Sequence, residues 1–427
     1  MITNRMVSYC KIYINKSIIL LFLIGFSLPV STALQNVLMI ILCGITLFKK
    51  IYLNNIWKVK KNATNLLCIL LYILFIVRSL HSDANFHQIA HRLTVFAWAI
   101  YLPILYIYMR THYQNHKYLL YGIIFGTIIS LIVSYLSWIF NYPVFHGRKF
   151  GDWANHWAPF RSHFIHCMFL AILSAWALFN IIQTSITKKK QIIYLLLIIS
   201  SAINVYYLIP SITGQFIFAT AIAITLLNKN FKKGAITFGL IVIIVLPILI
   251  TTSDSFKIKL INGWKSTIEF QHDKIPTRIN TGKENNSSLL LRLNYYNYSW
   301  QLIKQKIWFG YGTGSFSNEY KQITNNNSLI ATNNPHSDYL LIFMELGIFG
   351  VFLLCSIFVT IFYYSLFYLN GFERLLGLIV TISYGLSCVF NPWLSDSVVG
   401  ISFASMSAFV IIHFIKNFKY KHYKVKS

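Results

Sequence analysis

Residues 118–140 read YLLYGIIFGTIISLIVSYLSWIF, without one Asp, Glu, Lys or Arg. About 17 to 25 mainly apolar residues are needed to cross a bilayer as a helix. Lipid offers the backbone no hydrogen-bond partners but its own, so a run of this kind crosses as a helix. The same criterion applied outward along the chain finds about twelve such runs. They lie near 17–34, 36–53, 65–80, 93–109, 118–140, 163–184, 191–209, 213–228, 235–251, 339–368, 375–391 and 397–415. The expected fold is therefore an all-α polytopic membrane protein with about twelve transmembrane helices.

Composition agrees. Of the 427 residues, 56% are apolar and 11% charged, against about 25% charged in an ordinary soluble domain. There are 37 Lys and Arg against 11 Asp and Glu, a balance that in a soluble domain would suggest nucleic acid. Here the basic residues fall between apolar runs, so they read as topogenic charge, and no nucleic-acid partner is expected. With a cytoplasmic N-terminus, the clusters Lys49/Lys50/Lys58/Lys60/Lys61, Lys188/Lys189/Lys190, Lys229/Lys232/Lys233 and the tail lysines all fall inside, as the positive-inside rule requires. Both termini are then cytoplasmic. Of the acidic residues only Glu373 falls inside, which puts polar chemistry on the outer face. The expected organisation is a nine-helix part (1–251), one long outer loop (252–336) holding amphipathic helices, and three C-terminal helices with a basic tail (337–427).

The six cysteines lie in or beside apolar runs, with no C-x-x-C pair, so neither a disulfide framework nor a metal site is indicated. His87 and His91, with His81 and Asp83 nearby, read as solvated loop histidines rather than metal ligands. No cofactor is expected.

Within the long loop, Leu289, Leu293, Tyr296, Trp300, Ile303 and Ile307 recur at spacings of three and four, which is one face of a helix. Arg292 and Lys304 fall on opposite edges of that stripe, where long cations can rest their stems on apolar surface and hold their heads at phosphate level. Residues 309–316, FGYGTGSF, form a glycine-rich turn that either presents backbone N–H groups to an anion or serves as a tight connection. It lacks the lysine of a Walker motif. The loop closes at NNPHSDYL, 333–340, with Asn334 a candidate N-cap and Pro335 suited to a first turn. His336 and Asp338 would then stand in the first turn of the returning helix, whose N-terminus disfavours a cationic imidazole. A neutral imidazole there is a competent general base. Glu345 lies about two turns further on inside an apolar run, where an ionisable group is costly, and either binds substrate or fixes the helix against its neighbours.

Taken in order, Arg292, Trp300, the FGYGTGSF turn, Pro335-His336-Ser337-Asp338-Tyr339-Leu340 and Glu345-Leu346-Gly347-Ile348-Phe349-Gly350 resemble the O-antigen ligase and polymerase superfamily, over roughly 290–350. The resemblance implies about twelve transmembrane helices in a bacterial inner membrane and a reaction at the periplasmic face. A glycan would pass from undecaprenyl diphosphate to a hydroxyl of lipid A-core or another glycan acceptor. It further implies His336 as base and Arg292 as ligand of the donor diphosphate. Many members carry an arginine at the outer end of a mid-chain helix pair, where this chain has Ser211-Ile212-Thr213-Gly214-Gln215. Arg161 and Arg148 are the candidates for that second cation, with Arg78 a weaker one. A polysaccharide polymerase and a protein O-oligosaccharyltransferase share the donor chemistry. A lipid-linked glycan transporter is the non-enzymatic rival.

Overall fold

The computed structural model describes residues 2–52, 59, 62–141, 157–183, 186–209, 211–229, 236, 239–240, 288–324 and 332–424. Every regular element among them is helical: α1 (Ile2–Val30), α2 (Thr32–Phe48), α3 (Ala63–Ser79), α4 (Phe86–Val95), α5 (Trp98–Thr111), α6 (Lys117–Ile139), α7 (His163–Gln183), α8 (Lys188–Ile203), α9 (Ile212–Lys229), α10 (Ser288–Gln305), α11 (Phe316–Ile323), α12 (Asp338–Tyr368), α13 (Gly371–Phe390) and α14 (Ser397–Lys424). Among the described residues, 7 helical stretches are long and apolar enough to cross a membrane. Four shorter apolar helices, Lys16–Val30, Thr32–Phe48, Ala63–Ser79 and Ile212–Asn228, join them. The chain is thus a multi-pass membrane protein. The expected run 235–251 and the loop residues 252–287 fall almost wholly outside the described residues.

Helix starts follow from local chemistry. Ser31 and Asn62 cap α2 and α3 by accepting from Leu34 N and Asn65 N. Asn85 and Gln88 form a reciprocal capping box, so residues read as an outer loop at 86–92 are helix, and His87 and His91 stand exposed on α4. No group of three metal-binding side chains is found among the described residues.

Small residues decide how closely the helices approach. A Cβ on Gly25 would lie 2.0 Å from the Leu119 carbonyl oxygen, and one on Gly122 2.1 Å from that of Phe22. One on Gly126 would lie 2.8 Å from that of Phe26. With apolar lipid all around, close backbone packing of this kind is what holds α1 against α6. Between α6, α7 and α8 the adhesive is polar. His166 Nε2 donates to Asn204 Oδ1 at 3.2 Å, leaving its Nδ1 to accept from Ser130 Oγ at 2.9 Å. Asn204 in turn donates to Ser134 Oγ at 2.8 Å, at the start of a π-helical turn, Asn204–Leu208. The outer flank of α8 carries Ile192, Leu195 and Leu196, all exposed, as a lipid-facing surface should.

α12 is two helices in series, broken at Gly347, whose φ is +71°. Residues 307–312 enter the break. Tyr311 N donates to Met344 O at 2.8 Å, Gly312 N to Glu345 O at 2.9 Å, and Ile348 N to Ile307 O at 2.9 Å. Gly310 and Gly347 are obligatory there, because a Cβ on either would lie within 2.5 Å of a carbonyl oxygen of the opposing strand of chain. The second part of α12 runs beside α3, with Thr64 bonded to Thr360 at 3.0 Å near one end and Arg78 donating to Gly310 O at 3.2 Å near the other. From the break to Tyr368 is about 32 Å of helix, enough alone to cross a hydrocarbon core of about 30 Å. The first part, 338–346, is therefore surplus to the crossing and belongs to the end of the bundle that carries the site.

Gly122→Val should lower the thermal unfolding midpoint of the purified protein by several degrees, because overpacking costs about 1–3 kcal/mol even where side chains can yield and here the obstacle is backbone. Gly44→Ala, with nothing within 4 Å, should leave the midpoint unchanged in the same melting assay.

Candidate active site

At the end of the bundle where α12 begins, five stretches of chain converge: the first turns of α10, residues 332–338, the end of α13, residues 391–396 and the start of α9. The fastening between them is Asp338. Its carboxylate, wholly buried, accepts from Leu394 N at 2.7 Å, Ser395 N at 3.1 Å and Ser395 Oγ at 2.6 Å. Asn334 Nδ2 donates to the same Ser395 hydroxyl at 3.2 Å, and Ser337 Oγ to Cys388 O at 3.2 Å. Ser337, not Asn334, is the N-cap of α12, accepting from Leu340 N at 3.5 Å.

His336 therefore precedes the helix instead of standing in its first turn. It adopts φ +57°, a left-handed conformation that is uncommon outside glycine and costs about 1–3 kcal/mol where it persists. The neighbours enforce it: His336 N donates to Asn334 Oδ1 at 2.8 Å, and Tyr296 Oη donates to His336 O at 3.4 Å. The ring lies nearly parallel to Tyr295, centroids 5.7 Å apart and planes at 15°. Neither ring nitrogen has a hydrogen-bond partner among the described residues. Burial pushes its pKa below the ordinary histidine value, and the Arg292 guanidinium pushes it further the same way. The helix N-terminus named from sequence as the reason for a neutral imidazole is thus replaced by two causes, desolvation and a nearby cation.

Arg292 comes from the first turns of α10. Its Nη1 donates to Phe390 O at 3.2 Å, and its other N–H groups meet no partner among the described residues. Tyr295 and Tyr296, one turn on, fall on the same face. The single Tyr296 O–H proton points mainly to Val389 O at 2.8 Å, with His336 O the longer, minor acceptor, and so ties α10 to the end of α13. A guanidinium held by one donor with the rest directed elsewhere is suited to a planar oxyanion.

Other expected residues are placed differently. Lys304 is exposed at the far end of α10, about 18 Å of helix from Arg292, and is not brought to the site. Arg161 is buried and spent on the α1–α2 corner, donating to Leu28 O at 2.9 Å, Ser27 O at 2.8 Å, Gln35 Oε1 at 2.7 Å and Thr32 Oγ1 at 2.5 Å. Burial pulls its pKa down to about 10, with Asp396 acting in the opposite direction. Those bonds neutralise the carbonyl end of α1 and leave no open face for a ligand. Glu345 is wholly buried in an ion pair with Arg92 at 2.9 Å, which joins α12 to α4. Asp338, as described, fastens the loop. Arg148 lies outside the described residues.

The glycine-rich turn is a connection whose one anion is the protein's own: the N–H groups of Tyr311 and Gly312 go to α12 carbonyls and that of Thr313 to Arg78 O, while the backbone N–H groups of Gly314 and Phe316 turn to the Glu345 carboxylate. The apolar stripe on α10 is split between protein and surroundings. Asn294, Tyr295, Ser299, Leu302 and Ile303 are buried, whereas Trp300 is 48% and Ile307 45% exposed. In lipid the bulky apolar face can point outward, and small or polar residues make the protein contact. Ile212, where the resemblance led us to look for a cation, starts α9 and is exposed. Its neighbour Thr213 accepts from Asn391 Nδ2 at 2.9 Å, one residue from the carbonyl that holds Arg292. Sequence reasoning missed Tyr295, whose spacing from Arg292 was the available signal, and the partnership of Asp338 with Ser395, which had none.

A family model described as O-Antigen ligase matches the chain over residues 92–355. The chain belongs to the O-antigen ligase family. The family is one of O-antigen ligase/polymerase-type glycosyltransferases, whose substrates are lipid-linked glycans and glycan acceptors. No curated protein matches the chain as a relative.

Leucine at position 345 alone should strand the Arg92 charge, and breaking a buried pair from one side costs about 3–5 kcal/mol. Glu345→Leu should therefore melt far below the wild type, and the double substitution Arg92→Met/Glu345→Leu should regain most of the loss. A double variant that folds like the wild type yet is inactive, read by melting and glycan transfer together, would return Glu345 to the substrate.

Proposed function

We propose that this O-antigen ligase family member transfers a glycan from undecaprenyl diphosphate to a hydroxyl of lipid A-core, at the periplasmic face of the bacterial inner membrane. The observation that carries the reading is the placing of His336 near Arg292: an imidazole kept neutral at physiological pH near a guanidinium that, among the described residues, donates only to Phe390 O. The side of the membrane rests on the basic clusters, which by the positive-inside rule place the opposite end of the bundle in the cytoplasm.

The chemistry needs a base and a place for negative charge. The acceptor hydroxyl oxygen forms a bond to the anomeric carbon as its proton passes to a ring nitrogen of His336. The bond from that carbon to the diphosphate oxygen breaks, and its electron pair leaves with the diphosphate. Arg292 stabilises the charge growing there by charge-assisted hydrogen bonds. One displacement inverts the anomeric centre, so no covalent glycosyl-enzyme intermediate forms and no metal is invoked.

With purified lipid A-core and a defined undecaprenyl-diphosphate glycan, His336→Ala should lose about 10²–10⁴-fold in rate, the usual worth of a general base. Arg292→Ala should lose a comparable factor. Lengthening of the donor glycan without modification of the core would replace ligase by polymerase, and full activity of His336→Ala would remove the base.

The pH profile follows from sign. The working form of His336 is neutral, and its pKa lies below the ordinary 6.5, so the rate should hold from pH 8 to about 6.5 and fall only at more acid pH, where the ring protonates. Arg292→Gln removes one of the two causes of that depression. The residual activity of this variant should therefore show its acid limb at higher pH than the wild type. An unmoved limb would mean that the titrating group is not His336.

A further inference from the structure

At the end of the bundle opposite His336, α1, α2 and α5 enclose a cavity of about 290 Å³. α1 lines it with Lys16, Ser17, Ile19, Leu20 and Leu23, and α2 with Ile41 and Ile45. On α1, spacings of three and four put Lys16 on the same face as Ile19 and Leu23. Lys49, the extended C-cap just past α2, brings a second cation to the same cavity. From the two cations, apolar residues of both helices lead toward the middle of the bilayer. Ile19 is 56% and Ile41 45% exposed, so the tracks open to the lipid.

The floor is a built surface. Tyr52, 1% exposed, stacks on Tyr108 with centroids 5.5 Å apart, and its hydroxyl meets His112 Nε2 at 2.8 Å. Ser17 holds Asn115 at 2.7 Å behind it. A site with paired cations at the bilayer edge, a polar aromatic floor and apolar tracks running inward has the charge and the length pattern of a diacyl phospholipid with an anionic headgroup. A zwitterionic lipid would bring a further cation to a cavity that two lysines already line.

We propose that this cavity is a binding site for an anionic phospholipid, with Lys16 and Lys49 holding the phosphate and the acyl chains lying on Ile19, Leu23, Ile41 and Ile45. The volume sits at the small end for ligand pockets, about 300–1,000 Å³, so the headgroup and glycerol occupy it and the chains remain in the bilayer. The site is separate from the proposed chemistry and stands whether or not that reading does.

The test is binding of dioleoylphosphatidylglycerol to the full-length protein in detergent, followed by native mass spectrometry and by the unfolding midpoint. Lys16→Gln and Lys49→Gln should each weaken binding about fivefold, the equivalent of about 1 kcal/mol per lysine at a lipid surface. Ile41→Trp, which fills the cavity mouth and keeps both lysines, should weaken it as well. Dioleoylphosphatidylcholine should bind no better to the wild type than phosphatidylglycerol does to the double lysine variant, and glycerol 3-phosphate should not displace the lipid. Equal binding of the two lipids overturns the proposal. So does unchanged affinity in the double lysine variant or in Ile41→Trp, and displacement by glycerol 3-phosphate would make the cavity a soluble-anion site instead.

Discussion

The break in α12 at Gly347 is the constraint on which the rest of the structure depends. A helix interrupted near a bilayer surface exposes carbonyl and amide groups that lipid cannot satisfy. Here residues 307–312 supply the missing partners, bonding to Met344 O, Glu345 O and Ile348 N. Two glycines with positive φ, Gly310 and Gly347, let the two backbones touch. The inserted segment is fastened from behind by Arg78 and by Thr313, which donates to Phe75 O at 2.6 Å. Arg92 and Glu345 close the same junction with a buried ion pair. One backbone insertion thereby fixes α3, α4, α10 and α12 in register. It frees the first part of α12 from crossing the membrane, and so sets where Ser337 and His336 stand.

From that fixed point the site is assembled by fastenings that contribute no chemistry themselves. Asp338 and Ser395 bring the end of α13 to the start of α12, and Tyr296 bridges α10 to both. The strain at His336 is the local consequence. A histidine in the left-handed region tolerates its conformation only because Asn334 on one side and the Ser337 cap on the other leave its backbone no alternative. In return the imidazole is presented beside Tyr295 with its nitrogens unclaimed among the described residues. Its basicity is set by surroundings that both oppose protonation: a partly desolvated ring and a guanidinium.

The apolar runs were legible because the bilayer imposes a length on them, and the basic clusters because topology depends on them. His336 and Arg292 were legible as residue types in a known order. What escaped the sequence is pairing at long range. Nothing near Glu345 announces Arg92, nothing near Arg161 announces the carbonyls of Ser27 and Leu28, and the glycine-rich turn looks the same whether it receives an anion or a broken helix. The rotation of α10 against its neighbours escaped for a different reason: apolar periodicity identifies a helix, but in lipid it does not say which face meets the protein. Trp300 rests edge-on against Phe343 at 6.2 Å yet is half exposed.

That rotation bears on how a lipid-linked donor would arrive. α10 carries Arg292 near one end, and beyond its other end Trp308 and Phe309 lie exposed against Phe349, just past the break in α12. On the proposed reading the diphosphate must reach Arg292 while the polyprenyl tail stays in lipid. With Trp300 and Ile307 turned outward, the tail can lie alongside the helix as the headgroup reaches the guanidinium. Packed inward like Ile303, the same two side chains would leave that side of α10 no apolar surface for the tail.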